Sequence, residues 1–236
     1  MKFTYAPHIA ETFPLLHTGL LVVSGINTKV DTDVQVRDFE SSAKARLGDG
    51  TESTLAEVQA WRAAYAKMGF KPTKVRCASE ALLRRLRQHG SLPRLHPLVD
   101  LCNAASAMTA LPVAAFDLAK VDGNMQVCPA RGHELYQTFG GDTETPENNE
   151  IIFCDDAGNV HARRWVNRQS RLSAIQASTS KALIVIEGLH ETAKVDVVAL
   201  RDRLADQICG VWNSSLTKGH IEKATGTFDT DAAPLI

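Results

Sequence analysis

A stripe of short polar side chains follows a helix predicted over His96 to Leu111. At intervals of three residues this stripe carries Asp100, Asn103, Ser106 and Thr109. Residues at this spacing share one slowly drifting face of a helix. A solvent-facing stripe normally carries Lys, Glu or Gln, whereas short hydrogen-bonding groups suit the wall of a pocket. The same groups could instead satisfy the backbone of a neighbouring loop, so the spacing leaves both interpretations open.

A second group of residues with chemical potential is the arginine-rich stretch His161 to Arg171 (HARRWVNRQSR). Arginine forks bind phosphates and carboxylates, and tryptophan stacks on a base or an aromatic side chain. Because alternate side chains of a strand share a face, we expect Arg163 and Trp165 on one side and Arg164 on the other. Together with Arg168, these residues favour a binding surface. The alternative is an ion-paired sheet face around a core tryptophan.

Two carboxylates stand out from their surroundings. Glu134 directly follows His133, but adjacent residues on a strand point in opposite directions, and the HExxH metal motif is absent. Glu187 follows the apolar run Ile184 to Ile186, and carboxylates at strand ends often border sites. The plainer alternatives are a surface glutamate for Glu134 and a simple strand terminus for Glu187.

No cofactor or metal motif occurs in the sequence. The GxSxG elbow, the Walker loop and the dinucleotide glycine fingerprint are all missing. The five cysteines include no CxxC pair, so neither a zinc site nor a disulfide framework is predicted. Cys102 and Cys154 lie in apolar runs and are expected to be buried free thiols. If the protein catalyses a reaction, a positioned water is the expected nucleophile.

The composition limits the partners. The 236-residue chain has 26 basic and 27 acidic residues, and 44% of its residues are hydrophobic. A chain of this kind folds into a globular core without staples. Its balanced charge argues against a general nucleic-acid coat but leaves room for a local basic patch. The apolar run Leu20 to Val23 is too short to cross a membrane. We therefore expect a cytoplasmic protein, with neither DNA nor a membrane as its partner.

The order of the predicted elements indicates the fold class. Helices are predicted over Val30 to Gly48, Thr51 to Met68, Ser79 to Gly90, His96 to Leu111 and Val195 to Trp212. Strands are predicted over Leu20 to Val23, Val113 to Leu118, Met125 to Pro129, Ile151 to Cys154, Val160 to Val166 and Ala182 to Ile186. Early helices followed by clustered strands favour an α+β fold with a mixed sheet sandwich. We expect one domain over residues 1–212, and a polar, poorly ordered tail over 213–236.

Several of these segments resemble a known family. Pro97 to Asp117 (PLVDLCNAASAMTALPVAAFD) is similar to the segment NxVVDxxNYVxxExGQPLHAFD in the editing domain of the β subunit of bacterial phenylalanyl-tRNA synthetase. Further similar segments follow in the family's order at Ala130 to Glu134, Ile151 to Asp155 and Thr179 to Glu187. Stand-alone proteins built on this module are more similar still, at Trp61-Arg62, Ser79 to Leu82 and Arg163 to Gln169. The resemblance covers roughly Leu55 to Leu189.

The resemblance implies a mixed α/β module that hydrolyses mischarged tyrosyl-tRNA with a water molecule, without a metal or a covalent intermediate. Asn103, Glu134, Thr179 and Glu187 match polar positions of the family's site. A histidine of the family, proposed to order water or the terminal ribose, falls on Ala114 in this chain.

A second departure from the family is that Arg168-Gln169 replaces a glycine-rich segment. This replacement is expected to narrow the pocket and add positive charge.

Three functions follow as hypotheses. The first is a trans-acting aminoacyl-tRNA deacylase, in which Asn103, Ser106 and Glu134 line the pocket and the anion-binding residues are Arg163, Arg164 and Arg168. The second is a non-catalytic module that binds the tRNA acceptor end, a free amino acid or a small carboxylate. The third is an enzyme that acts on small carboxylates. No cofactor is expected for the deacylase.

Overall fold

The computed structural model describes residues 1–231. Within this range the α-helices are α1 (Pro7–Thr12), α2 (Asp33–Leu47), α3 (Ala56–Lys67), α4 (Ala78–His89), α5 (Pro97–Thr109) and α6 (Ala193–Trp212). The strands are β1 (Lys2–Tyr5), β2 (His17–Ser24), β3 (Val113–Asp117), β4 (Met125–Pro129), β5 (Leu135–Gln137), β6 (Thr143–Glu144), β7 (Ile151–Asp155), β8 (Asn159–Arg163), β9 (Arg168–Gln169), β10 (Lys181–Gly188), β11 (Ser215–Glu222) and β12 (Thr227–Asp229).

The described strands form two sheets. The larger is a mixed sheet of eight strands in the order β12-β1-β4-β7-β8-β5-β6, with β9 paired to β8. The smaller has the order β11-β2-β10-β3, and its pairs are all antiparallel. The predicted α+β class is therefore confirmed.

The smaller sheet is the middle layer of the molecule. On β2, Leu21 and Val23 belong to the core that also holds helix residues such as Leu101 and Leu204. The alternate positions of the same strands, such as Leu20, belong to a second core shared with the larger sheet. Successive side chains of a strand face opposite sides, so both faces of this sheet are buried. This explains why its strands read as continuous apolar runs rather than alternating patterns.

The predicted helices are confirmed, because their signals are local. Val58, Trp61 and Tyr65 of α3 are buried at helical spacing. Gly90 ends α4 with a left-handed backbone (φ 78°), the conformation that glycine adopts most readily at this position. Among residues 1–231, no helix combines the length and the hydropathy required to span a membrane.

The end of β8 differs from the prediction. The strand stops at Arg163 instead of continuing to Val166. The next two residues, Arg164 and Trp165, have left-handed backbones with φ of 47° and 58°. Strand alternation ends where the strand ends, so the expected arrangement of Arg163 and Trp165 on a common face does not apply. Left-handed backbone is rare for side chains of this size and costs about 1–3 kcal/mol per residue.

The segment after Trp212 was expected to be poorly ordered, and the structure corrects this expectation. Residues Ser215–Glu222 pair with β2 and form the edge of the smaller sheet, and Thr227–Asp229 pair with β1. The partner strands β2 and β1 lie roughly 200 residues earlier in the chain, so no local sequence pattern predicts the pairing. The expectation for Ala232 to Ile236 lies outside the described residues.

The cysteines are free thiols. Cys102 is buried as predicted, whereas Cys154 is only half-buried. Burial raises the pKa of both thiols to about 12. A thiol with such a pKa is almost entirely protonated at neutral pH and is a poor nucleophile.

Candidate functional site

A partly enclosed cavity of about 160 Å³ lies between the two sheets, beside α5. Its apolar wall includes Val113, Phe153, Trp165 and Val185. Its polar lining consists of Asn103, Asn167, Arg168, Gln169 and Glu187. An apolar pocket with a few convergent polar groups is the usual form of a small-molecule site. A cavity of about 150 Å³ is known to hold a molecule of the size of benzene, so this one suits an amino-acid side chain.

Glu187, at the C-terminal end of β10, is the buried carboxyl of the cavity and is 2% exposed. Its Oε1 accepts hydrogen bonds from the hydroxyl of Tyr5 at 2.7 Å and from Nε1 of Trp165 at 2.9 Å. Within the described part of the chain no hydrogen bond reaches Oε2, which leaves this oxygen for a ligand. Burial raises the pKa of Glu187 to about 7, although both hydrogen bonds act to lower it. Near neutral pH the group can therefore accept or donate a proton.

The left-handed backbone after β8 places the Trp165 indole in the cavity wall. The Trp165 amide donates to the carbonyl oxygen of Ile151 at 2.6 Å. The indole ring packs edge-on against Trp61, with centroids 5.0 Å apart, and against Phe13 at 4.9 Å. These contacts over-determine the position of the ring, which is how a protein maintains a strained backbone. The result is a fixed indole N–H directed at Glu187.

The segment after Trp165 forms the polar rim of the cavity. Nδ2 of Asn167 donates to the carbonyl oxygen of Arg76 at 2.7 Å, and Nε2 of Gln169 donates to that of Ala115 at 2.6 Å. Arg168 lies between them, and its guanidinium stands 5.4 Å from the Tyr136 ring centroid. Nη1 of Arg168 lies 3.3 Å from Oε2 of Glu144, but the side chain is 41% exposed, so its other N–H groups remain accessible to an anionic group.

The structure brings four of the predicted site residues to this cavity: Asn103, Ala114, Arg168 and Glu187. Asn103 is half-buried, and its amide makes no hydrogen bond to any residue in 1–231. Ala114, the position at which the resemblance places a histidine, is also half-buried and lines the cavity. The roles of these residues in binding stay predictions.

Two predicted residues are buried outside the cavity. The Ser106 hydroxyl donates to the carbonyl oxygen of Leu111 at 2.6 Å. The Thr179 hydroxyl donates to Oδ2 of Asp117 at 2.7 Å. Of the two interpretations of the α5 stripe, the pocket wall fits Asn103, and backbone satisfaction fits Ser106.

Arg163 is committed to carboxylates of its own chain. Its Nε and Nη2 each lie 2.8 Å from an oxygen of Glu150, and Nη1 contacts Glu144. The Arg163 and Glu150 side chains are only 6% and 1% exposed. This pair corresponds to the alternative interpretation of the arginine stretch, an ion-paired sheet face around a core tryptophan.

Arg164 and Glu134 lie in two other grooves. Arg164 borders a groove with Lys71 and Lys74, and its guanidinium stands 5.7 Å from the Phe70 ring centroid. Burial raises the pKa of Glu134, but hydrogen bonds from the backbone amides of Arg131 to His133 outweigh it and lower the pKa overall. The expected grouping of Glu134 with Asn103 in one pocket is not observed.

Tyr5 is the site residue that the sequence patterns missed. It lies on β1, 182 residues before Glu187, in a segment for which no element was predicted. The one available signal was a tyrosine with neighbouring Phe3 in an alternating stretch, which is typical of a half-buried strand.

The layers and the cavity define a class: an α+β module with a partly enclosed cavity between its two sheets, lined by one buried carboxyl. Residues 60–202 match the family model of the B3/4 domain. The match covers more than half of the chain, and the protein belongs to this family.

Curated relatives of the chain include two phenylalanine–tRNA ligase β subunits. The subunit of Shewanella oneidensis is 28% identical over 93 residues, and that of Fusobacterium nucleatum is 31% identical over 92 residues. Each alignment covers 39% of this chain but only 12% and 11% of the respective subunits. The chain therefore matches a small part of these relatives.

Among solved structures, an N-terminal fragment of the phenylalanyl-tRNA synthetase β-subunit from Pyrococcus horikoshii is similar to this chain. The TM-score is 0.49 at 9% identity, with 91% of this chain and 49% of that fragment covered.

Proposed function

We propose that the protein hydrolyses the ester bond of an aminoacylated tRNA, with the amino-acid side chain bound in the Glu187 cavity. The observation that carries the proposal is the cavity itself: about 160 Å³, apolar walls and a buried carboxyl, one oxygen of which has no hydrogen bond from residues 1–231. Support also comes from the B3/4 family and from the relatives named as tRNA ligase subunits.

In this proposal the side chain of the amino acid lies between Val113, Phe153 and Trp165. Oε2 of Glu187 binds the tip of that side chain, which favours amino acids ending in a hydroxyl or an N–H group. Asn103 holds the attacking water, because its amide has no partner among the described residues. An aminoacyl ester is already activated, so orienting the water supplies much of the required rate.

The first prediction concerns Asn103→Ala. Deacylation of the preferred aminoacyl-tRNA is expected to slow by about 100-fold, as for the loss of one positioned polar group in other sites. The measurement is the release of labelled amino acid from a panel of mischarged and correctly charged tRNAs. Ser106→Ala is the matched control, because Ser106 lies one turn further along α5 and outside the cavity. It is expected to retain the rate.

Two results would contradict the deacylase proposal. One is the absence of release from every aminoacyl-tRNA in the panel. The other is an equal loss of activity in Asn103→Ala and Ser106→Ala, which would indicate a general effect on the helix rather than on the cavity.

A second candidate function is binding of a free amino acid without turnover. Arg168 favours it, since a guanidinium at the mouth of the cavity suits a carboxylate better than an uncharged ester. Ala114 favours it as well, because the family's histidine is absent.

The second prediction tests this alternative with Arg168→Gln. Calorimetry with free amino acids is expected to show at least about tenfold weaker binding in this variant, because a charge-assisted hydrogen bond is lost. Arg171→Gln is the control, since Arg171 is exposed and does not line the cavity. Binding that is insensitive to salt indicates a pocket ligand, whereas a steep loss with salt indicates tRNA phosphates. No heat with any amino acid excludes the alternative.

A further inference from the structure

Three ionisable side chains converge at a place that the cavity does not include. They are Glu57 in α3, His190 in the connection from β10 to α6, and Asp196 in the first turn of α6. One potential ligand atom from each lies within 4.8 Å of the others. Glu57 and His190 are buried, and Asp196 is partly exposed. The three residues come from separate elements, so the fold itself brings them together.

Existing contacts fix the orientation of each side chain. Oδ2 of Asp196 lies 2.8 Å from Nε2 of His190 and accepts a hydrogen bond from the Thr192 hydroxyl at 2.5 Å. Oε1 of Glu57 accepts from Nη2 of Arg46 at 2.6 Å. These contacts use one nitrogen of the imidazole and one oxygen of the Glu57 carboxylate.

The remaining atoms are buried and have no partner. Oε2 of Glu57 and Nδ1 of His190 make no hydrogen bond within residues 1–231. The side chains that carry them are only 9% and 6% exposed. Buried polar atoms are normally satisfied, so the unpartnered Oε2 of Glu57 in this cluster is available as a ligand.

The chemistry of these atoms suits a transition-metal ion. Imidazole nitrogen and carboxylate oxygen are the ligands that Zn²⁺ uses in three-ligand sites completed by water. Oδ2 of Asp196 lies 2.8 Å from Nε2 of His190, so an ion that replaces the proton between these two atoms gains both as ligands, and Nδ1 of His190 then carries the hydrogen. A neighbouring cavity of about 250 Å³, lined by Glu57 and Asp196, provides room for water ligands.

The charges around the cluster allow a cation. Glu57 and Asp196 carry two negative charges, and Arg46 beside them carries one positive charge. Arg203 lines the same cavity but pairs with Asp38. The balance at the cluster is therefore one net negative charge, which attracts a dication but predicts moderate rather than extreme affinity.

We propose that Glu57, His190 and Asp196 form a binding site for a divalent transition-metal ion of the Zn²⁺ type. The site is independent of the proposed hydrolysis, since none of its residues lines the Glu187 cavity. A bound ion would link α3 to the connection that follows β10, because His190 lies three residues after Glu187.

The test is titration of the metal-free chain with ZnCl₂ by calorimetry, in a Cys209→Ser background because Cys209 is an exposed thiol. One site per chain is expected. Glu57→Gln and His190→Gln are each expected to weaken binding at least about tenfold. Glu191→Gln is the matched control: Glu191 is exposed and adjacent to His190 but lies outside the cluster, so binding is expected to be unchanged.

A second measurement keeps the test decisive if a variant fails to fold. Co²⁺ added to the Cys209→Ser chain is expected to give visible absorption of an N,O-ligated ion and to raise the melting temperature until one equivalent is bound. Absence of both effects overturns the proposal, as does Zn²⁺ binding that is equally strong in Glu57→Gln and Glu191→Gln. A crystal structure from ZnCl₂ with only a water between Glu57 and His190 also overturns it. None of these results bears on deacylation.

Discussion

Arg163→Met is expected to lower the free energy of unfolding by about 3–5 kcal/mol, the usual cost of removing one partner from a buried ion pair. Glu150 is the reason. Its side chain is 1% exposed, and it accepts from two atoms of Arg163 and from the backbone amide of Arg164. Without Arg163 this carboxylate stays buried with most of its charge uncompensated. Urea denaturation followed by circular dichroism measures the change.

Two further variants separate a buried pair from a general loss of arginine. Arg163→Met combined with Glu150→Gln is expected to recover much of the stability, because the uncompensated charge is gone. Arg168→Met removes an arginine that shares Glu144 but is 41% exposed, so a loss of at most about 1 kcal/mol is expected. Equal losses for Arg163→Met and Arg168→Met would show that burial is not the deciding factor.

Glu187→Gln is expected to stabilise the protein above neutral pH and to leave it nearly unchanged in acid. In the folded state burial raises the pKa of Glu187 to about 7 from its ordinary value of 4.5. Below pH 4.5 the group is protonated in both states and carries no penalty. Between pH 4.5 and about 7 the unfolded chain releases this proton first, so the stability of the fold declines as the pH rises.

The size of the effect follows from the two pKa values. The difference between about 7 and 4.5 corresponds to about 3 kcal/mol, reached above pH 7. Glutamine retains an oxygen that accepts from Tyr5 and Trp165 but has no charge to bury. The measurement is the difference in unfolding free energy between variant and unmodified chain from pH 4 to pH 8.

Glu134→Gln is the control with the opposite sign. Backbone hydrogen bonds lower the pKa of Glu134, so its carboxylate stabilises the fold above pH 4.5 and loses this contribution in acid. This variant is therefore expected to be destabilised at neutral pH. A Glu187→Gln chain that is less stable than the unmodified protein at pH 8 would contradict the proposed burial of the Glu187 charge.

The sequence predicted the helices and the central strands well, because helical spacing and long apolar runs are local signals. It did not predict β11 and β12, whose stability depends on pairing with β2 and β1 at the other end of the chain. Backbone geometry was a second limit. The arginine stretch was predicted as one strand, and none of its residue types indicated two consecutive left-handed residues at Arg164 and Trp165.

The candidate site shows the same division. Asn103 came from the polar helix stripe and the resemblance, Glu187 from the strand end and the resemblance, and Ala114 from the resemblance alone. All three lie together in one cavity. Arg163 was expected to bind an external anion because an arginine side chain does not reveal its partner. The partner, Glu150, lies 13 residues earlier in the chain, directly before β7, and no spacing pattern links it to Arg163. The alternating stretch around Tyr5 indicated a strand but not a site residue, since the role of Tyr5 depends on a contact across the fold.

The paired left-handed residues have a consequence for how this protein can diverge. Arg164 faces an outer groove while its neighbour Trp165 closes the inner cavity, and each has its own backbone strain. Glycine adopts the conformation of Arg164 without that strain. Arg164→Gly therefore relieves this strain while it removes the positive charge and the Phe70 contact from the groove, whereas any change at Trp165 removes an N–H from Glu187. Two adjacent positions thus differ in the substitutions that they tolerate. A change at Arg164 alters the outer groove and leaves the inner cavity intact, whereas a change at Trp165 alters the cavity.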